Sequence, residues 1–231
     1  MERRRKLVRT APLPSTLGEQ RGRRERRGTS RADTLRARPD DSPWGSVVRV
    51  GEDAGRRVLL VDGVVQSVLD DAAEAGYWGA MVPDVRPERA LVLGLGGGTI
   101  VRLLHARFGP LPILAVDNDA NVLAFARREL GERSGLESVE ADAFAWTDAA
   151  AERGERFDLA CIDLFRAETM PPEVTRRPFL RSLKRLLAPR GMAIFNVFAD
   201  RRTESRVQRI ERVFRVLERR RVGDNVVVWC R

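Results

Sequence analysis

The apolar positions of this chain change rhythm along its length. Through residues 1–43 they are scarce among Arg, Pro, Ser, Thr and Gly. Such a segment buries too little surface to offset its ordering entropy, so a disordered basic tail is expected there. From Trp44 the pattern changes. SVVRV (46–50), RRVLLVDG (56–63) and VVQSVL (64–69) are short β-prone runs broken by GEDAG and by Asp62–Gly63, which predicts a small antiparallel β unit. A helical stretch follows, roughly Asp71 to Val82, and Pro83 and Pro87 close this first region at 44–83. From 84 to 231 short apolar runs alternate with helical patterns: the runs are RALVLGLG (89–96), LPILAVD (111–117), GLESVEAD (135–142), FDLACID (157–163) and MAIFNVFA (192–199). Helical patterns intervene at about 99–108, 119–130, 143–152 and 174–187, with a last one at about 203–212. Strands apolar on both faces, alternating with helices, predict a mostly parallel sheet covered on each side. FRVLERRRV and NVVVWC flank Gly223–Asp224–Asn225 and predict a terminal antiparallel hairpin.

Composition alters this picture in few places. The 231 residues are 43% hydrophobic, ample for a packed core. Of the net charge of +9, residues 1–41 supply +7, with thirteen Lys/Arg against six Asp/Glu, so the folded part is close to neutral. No aromatic residue interleaves the tail arginines to stack on bases, and the tail is read as a solvated extension, not a nucleic-acid tether. No apolar run approaches the roughly 18 residues of a membrane span, and no apolar segment follows the basic N-terminus as in a secretory signal. A cytoplasmic protein without membrane contact is expected. Cys161 and Cys230 lie in strand-like runs and read as small core residues, with no zinc spacing and no metal expected. His105, the single histidine, sits in mid-helix and reads as structural.

Four strand ends carry the candidate chemistry. In LVLGLGGGT (91–99) a buried strand runs into Gly94, Gly96, Gly97 and Gly98 and then a helix, where a ligand can approach backbone with no Cβ in the way. Thr99 stands where a dinucleotide fingerprint needs its third glycine. The loop therefore suits an amino acid and ribose better than a pyrophosphate, and a dehydrogenase is disfavoured. Asp117 ends the second strand some 20 residues on, placed to accept ribose hydroxyls at about 1.5–3 kcal/mol for each charge-assisted bond. Asp119 reads as the next helix cap. Asp142, with the backbone of Ala143, is placed for an adenine amino group or for helix capping. Asp163 ends the fourth strand and faces the reacting end of any ligand bound across the strands' carboxyl ends. A lone carboxylate there suits an amine, which has no lone pair until a base takes its proton.

Five parallel strands closed by an antiparallel hairpin is the layout of the S-adenosylmethionine-dependent methyltransferase fold: α/β, Rossmann-like, seven strands. Over roughly residues 44–231 the chain resembles the spermidine synthase-like family of aminopropyltransferases. The resemblance rests on the four strand ends, on LLVDGVVQSV (59–68), like the family's Leu-x-x-Asp-Gly-x-x-Gln segment, and on Gly76-Tyr77-Trp78. It implies that Gln66 contacts the nucleoside or its aminopropyl tail, that Asp117 binds ribose and Asp142 adenine, that Asp163 is the catalytic carboxylate and that Tyr77 lines the amine pocket. The implied co-substrate is decarboxylated S-adenosylmethionine or S-adenosylmethionine itself, and the implied partner a small amine or other nucleophile. Members commonly dimerise through their N-terminal part and sheet edges; with this short N-terminal unit a homodimer stays an open alternative. The sequence departs from the family at Arg166, where a second acidic residue is usual, at Trp78–Gly79, where a His-Glu pair is usual, and at Gly97, where many members have Asp. Asp70, Asp71 and Glu74 are candidates for replacement negative charge. Two other readings stand beside aminopropyl transfer: methyl transfer to another substrate, for which Arg166 would suit the donor's carboxylate, and a non-catalytic binding protein on the same fold.

Overall fold

A computed structural model of the chain describes residues 46–70, 76–131, 135–166 and 169–231. The expectation of a basic tail, and residues 71–75 of the predicted helical stretch, lie outside the described residues. Three antiparallel strands come first: β1 (Val48–Asp53), β2 (Arg56–Val61) and β3 (Val64–Val68). The segment GEDAG, read as a turn, is mostly strand, because the tight turn needs only Ala54 and Gly55, both at positive φ. Asp62 and Gly63, at φ 50 and 84, make the second turn as expected. Of the stretch read as helix up to Val82, the described part forms one turn, α1 (Tyr77–Ala80), started by the extended Gly76.

The larger sheet contains β4 (Ala90–Leu93), β5 (Ile113–Asp117), β6 (Leu136–Glu140), β7 (Phe157–Ile162), β8 (Leu187–Phe198), β9 (Val216–Val222) and β10 (Asn225–Cys230). Its spatial order is β6-β5-β4-β7-β8-β10-β9; the first five strands run parallel and β10 runs antiparallel to both neighbours. This is the seven-stranded architecture expected from the sequence. The order reverses at β4, and in open α/β sheets that switch point opens a crevice at the strands' carboxyl ends. Helices α2 (Thr99–Phe108), α3 (Ala120–Leu130), α4 (Ala143–Arg153), α5 (Arg177–Arg185) and α6 (Thr203–Glu211) supply the crossovers and the final connection.

Two boundaries differ from the sequence reading. The helix expected over 174–187 is a 3₁₀ turn, Pro172–Thr175, then an extended Arg176, then α5 with Pro178 in its first turn. Proline fits a helix start and breaks a helix interior, which divides the segment in two. Strand β8 begins at Leu187, ahead of the predicted 192, with residues 188–191 bulged between the pairs Phe157–Leu187 and Leu159–Met192.

The sheet is covered on both faces. On one, Trp146, Phe179, Leu183, Val207 and Ile210 pack over Phe157 and Phe195. On the other, Ile100, Val101, Leu104 and Leu123 join Met81, Val58 and Trp229. A fully buried leucine such as Leu180 or Leu104 contributes about 1.5–3 kcal/mol. The three-stranded sheet rests on α3 through Val48, Leu59 and Leu69 against Val122 and Phe125. Cys161 and Cys230 are buried and free, as read from their runs. The His105 ring lies 3.3 Å from the Leu111 carbonyl, and partial burial lowers its pKa, so it is a neutral structural side chain. Among the described residues no helix is long and apolar enough to cross a membrane.

Candidate functional site

A cavity of about 910 Å³ opens at the carboxyl ends of β4, β5, β6 and β7, with β3 and α1 closing it from the other side. Backbone forms its floor. Gly94 leaves β4 at φ 87 and donates its N–H to the Val116 carbonyl at 2.9 Å. A Cβ at Gly94 would overlap the Asp163 carbonyl oxygen, so only glycine lets these two strand ends lie side by side. Gly96 also lines the cavity. Gly98, expected in the ligand cradle, is instead the left-handed cap of α2 and faces Leu130, outside the cavity wall; its part is to turn the chain into the helix.

Asp117 joins the loop to β5. Its Oδ2 accepts the N–H groups of Leu95 at 2.9 Å and Gly96 at 3.3 Å, and its Oδ1 accepts that of Asp119 at 3.1 Å. Burial raises its pKa, and these three bonds oppose the rise. The two N–H groups fill the lone pairs of Oδ2, while Oδ1, with one bond, keeps acceptor capacity toward the cavity that Asp117 lines. Asp119 caps α3 through the N–H groups of Asn121 and Val122 and also accepts the Ser46 hydroxyl. Asp142 caps α4, its Oδ1 accepting from Phe144 at 3.0 Å and Ala145 at 2.9 Å. It is exposed, and it lines the cavity with Ala143, so capping leaves its second oxygen available there.

The three-stranded sheet is fastened to the glycine loop. Ser67 Oγ accepts the Gly97 N–H at 2.7 Å, while Thr99 Oγ1 and Arg102 Nη2 donate to the Val68 carbonyl at 3.0 and 2.7 Å. Gln66, next to this clamp, is half-buried in the cavity wall.

The opposite wall is built from side chains. Asp163 follows β7, and its carboxylate accepts the Tyr77 hydroxyl at 3.2 Å and the Asn196 amide N–H at 2.8 Å, with a further bond from Trp78. Burial pushes the Asp163 pKa up to about 6, against these three bonds, which pull it down. The Tyr77 phenol is driven well above its ordinary value by burial first and the Asp163 charge second, so it stays protonated and donates. The Tyr77 and Trp78 rings lie together at 4.2 Å between centroids. Asn196 is 2% exposed and its Oδ1 has no partner among the described residues.

Among the described residues six aspartates line the cavity, at 62, 117, 119, 142, 163 and 224, against one cationic side chain, Arg166. In a chain of net charge +9, this concentrates negative field where the glycine loop opens. Of the replacement acids considered from sequence, Asp70 turns to the Arg57 N–H at 3.1 Å and is not part of the wall; Asp71 and Glu74 lie outside the described residues. Sequence reasoning missed Ser67, Trp78, Asn196 and Asp224 as wall residues. The polar Asn196 inside the apolar run FNVF was a usable signal; Asp224 was hidden by its role as a turn residue.

Comparison with known proteins agrees with this geometry. A family model described as a methyltransferase domain matches residues 90–191. The polyamine aminopropyltransferase of Chromobacterium violaceum is 32% identical over 138 residues, 57% of this chain and 52% of the relative, and the chain spans about half the length of the curated relatives it matches. The crystal structure of a probable spermidine synthase from Corynebacterium glutamicum superposes with a TM-score of 0.64 at 20% identity, covering 80% of this chain and 76% of that one. Human methyltransferase-like protein 13, solved in complex with SAH, gives 0.59 at 25% identity, covering 69% of this chain and 80% of that one.

Proposed function

We propose that this chain, which is similar to polyamine aminopropyltransferases and carries the methyltransferase-type fold, transfers an aminopropyl group from decarboxylated S-adenosylmethionine to a polyamine-type amine. One observation carries the reading: a carboxylate with its pKa raised to about 6 sits at the end of β7, held by a protonated tyrosine and an amide, in a cavity lined by six aspartates and one arginine. Such a wall suits a doubly cationic pair, a sulfonium donor and an ammonium acceptor.

The residues fit the donor. Asp117 has acceptor capacity for the ribose hydroxyls, Asp142 Oδ2 and the Ala143 backbone suit adenine, and Gly94 and Gly96 let the ligand reach the backbone. Gln66 would contact the nucleoside or the aminopropyl tail. In the reaction the acceptor nitrogen attacks the propyl carbon next to sulfur. A C–N bond forms as the C–S bond breaks, its electron pair stays on sulfur, and methylthioadenosine leaves. The acceptor must first lose a proton, and the Asp163 carboxylate receives it. At neutral pH Asp163 is mostly ionised yet basic enough to take that proton, the compromise general-base catalysis requires. Tyr77 and Asn196 hold the carboxylate in line, and alignment supplies much of the remaining acceleration.

Arg166 favours a second reading, methyl transfer, because a donor that keeps its carboxylate would find in it a cationic group of the wall. Calorimetric titration separates the two. A preference of tenfold or more, about 1.4 kcal/mol, for decarboxylated over carboxylated donor supports aminopropyl transfer. The opposite preference overturns it and assigns the donor carboxylate to Arg166.

A further inference from the structure

The cavity's six aspartates are not equivalent. Asp62 accepts the Val47 N–H, Asp117 holds the glycine loop, Asp119 and Asp142 cap helices, and Asp163 is held by Tyr77 and Asn196. Only the carboxylate of Asp224 has no hydrogen bond or ion pair to another described residue. Its backbone, by contrast, is fixed. Gly223 at φ 56 and Asp224 form the two-residue loop joining β9 to β10, the Asp224 carbonyl accepts the Ala199 N–H at 2.8 Å, and the next residue, Asn225, pairs with Phe198. The loop thus presents an uncommitted negative charge at a set place on the rim.

That place can be read from the strand register. Ile162 pairs with Phe195, so Asp163 lies level with Asn196, and Asn196 pairs with Val227 on β10. Asp224 is two strands across from Asp163 and three residues further toward the cavity mouth. With strands about 4.8 Å apart and about 3.3 Å per residue, it stands about 10 Å across and about 10 Å up. On the β7 side the corresponding rim position is Arg166.

We propose that Asp224 is the acceptor-length determinant of this site: it receives the distal ammonium of a linear polyamine whose reacting nitrogen sits at Asp163. The assignment rests on the aminopropyl-transfer reading. The separation favours a long acceptor, so affinity rises from a monoamine through a diamine to a triamine.

The test measures transfer from decarboxylated S-adenosylmethionine to butylamine, putrescine and spermidine by the full chain, Asp224→Asn and Asp224→Lys. Asparagine suits the turn and removes only the charge. Asp224→Asn should raise KM for spermidine about three- to tenfold, the range for a solvent-accessible charge-assisted hydrogen bond. Asp224→Lys should raise it further. In both, kcat and the KM for butylamine stay unchanged, and unfolding midpoints report that each variant folds. Equal KM values for spermidine in wild type and both variants overturn the role of Asp224 while leaving aminopropyl transfer standing. A uniform rise for all three amines also overturns it, since a site for the distal nitrogen cannot act on a monoamine. No transfer by the wild type to any amine overturns both readings together.

Discussion

The two walls of the cavity are made of different material. On the β4–β5 side, main-chain groups do most of the shaping: Gly94 turns where no Cβ fits, and N–H groups of the loop close on Asp117. On the β7–β8 side the surface is side chains: Asp163, Tyr77, Trp78 and Asn196, with Asp224 at the rim. Backbone geometry changes only by replacing glycines, at a cost to folding. Side chains can be exchanged one at a time. A fold built this way can keep one ligand while its other substrate changes, and under the proposed function the sequence departures at Arg166 and Trp78–Gly79 fall on the side-chain wall.

The sharpest division of the walls comes from Asp163→Asn. Transfer should fall about a thousandfold, within the range for a general base, while calorimetric affinity for methylthioadenosine changes little. Stability should not suffer. Burial raises the folded-state pKa of Asp163 from the ordinary carboxylate value of 3.8 to about 6, so its ionised form costs stability that is absent below about pH 4 and grows as pH rises toward 6. Asparagine removes that cost, and its unfolding midpoint at pH 8 should equal or exceed that of the parent. For the parent, kcat/KM should rise with pH through an acid limb near 6, as the carboxylate ionises. Because the Tyr77 bond lowers that pKa, Tyr77→Phe should move the limb to higher pH; a limb that stays or falls would separate Asp163 from the proton transfer.

Gly94→Ala probes the backbone wall. Positive φ combined with overlap on the Asp163 carbonyl should cost about 3 kcal/mol in urea unfolding, and a loss under 1 kcal/mol would mean the strand ends can part. Asp117→Asn comes next: donor affinity should drop about tenfold or more, as charge-assisted bonds to ribose weaken, with acceptor preference unchanged. The smallest effect is Asp142→Ala, which removes the α4 cap at about 1 kcal/mol of stability. If adenine also uses this carboxylate, donor affinity falls with it; unaltered affinity would leave Asp142 a cap alone.

How far sequence alone reached follows the same division. The buried strands of the large sheet, β4, β5, β7, β8 and β10, were visible as apolar runs, since strands covered on both faces have no reason to alternate, whereas β6 and β9 carry exposed charges. The glycine loop, Asp117 and Asp142 were legible because a strand end, a turn and a cap each leave a local signature. Asp163 was legible as a strand end, but Tyr77 was found only through family resemblance, for its meeting with Asp163 joins residues 86 apart in the chain. Asn196 stood out as a polar residue in an apolar run, but Asp224 needed the register of β7, β8 and β10, which periodicity does not contain. Helix boundaries failed where proline decided them, at Pro172 and Pro178.

Trp229 donates its indole N–H to the Ala80 carbonyl at 3.0 Å, tying β10 to the helix turn that carries Tyr77 and Trp78. These partners are 149 residues apart. On a ribosome adding roughly 5 to 20 residues each second, Tyr77 is made about 7 to 30 seconds before the strand that secures it. Over that interval the apolar segment around Trp78 and Met81 lacks its backing, and the two halves of the cavity are not yet joined. Assembly of the site is thus timed by synthesis of β10, and over that interval the segment around α1 is open to a chaperone.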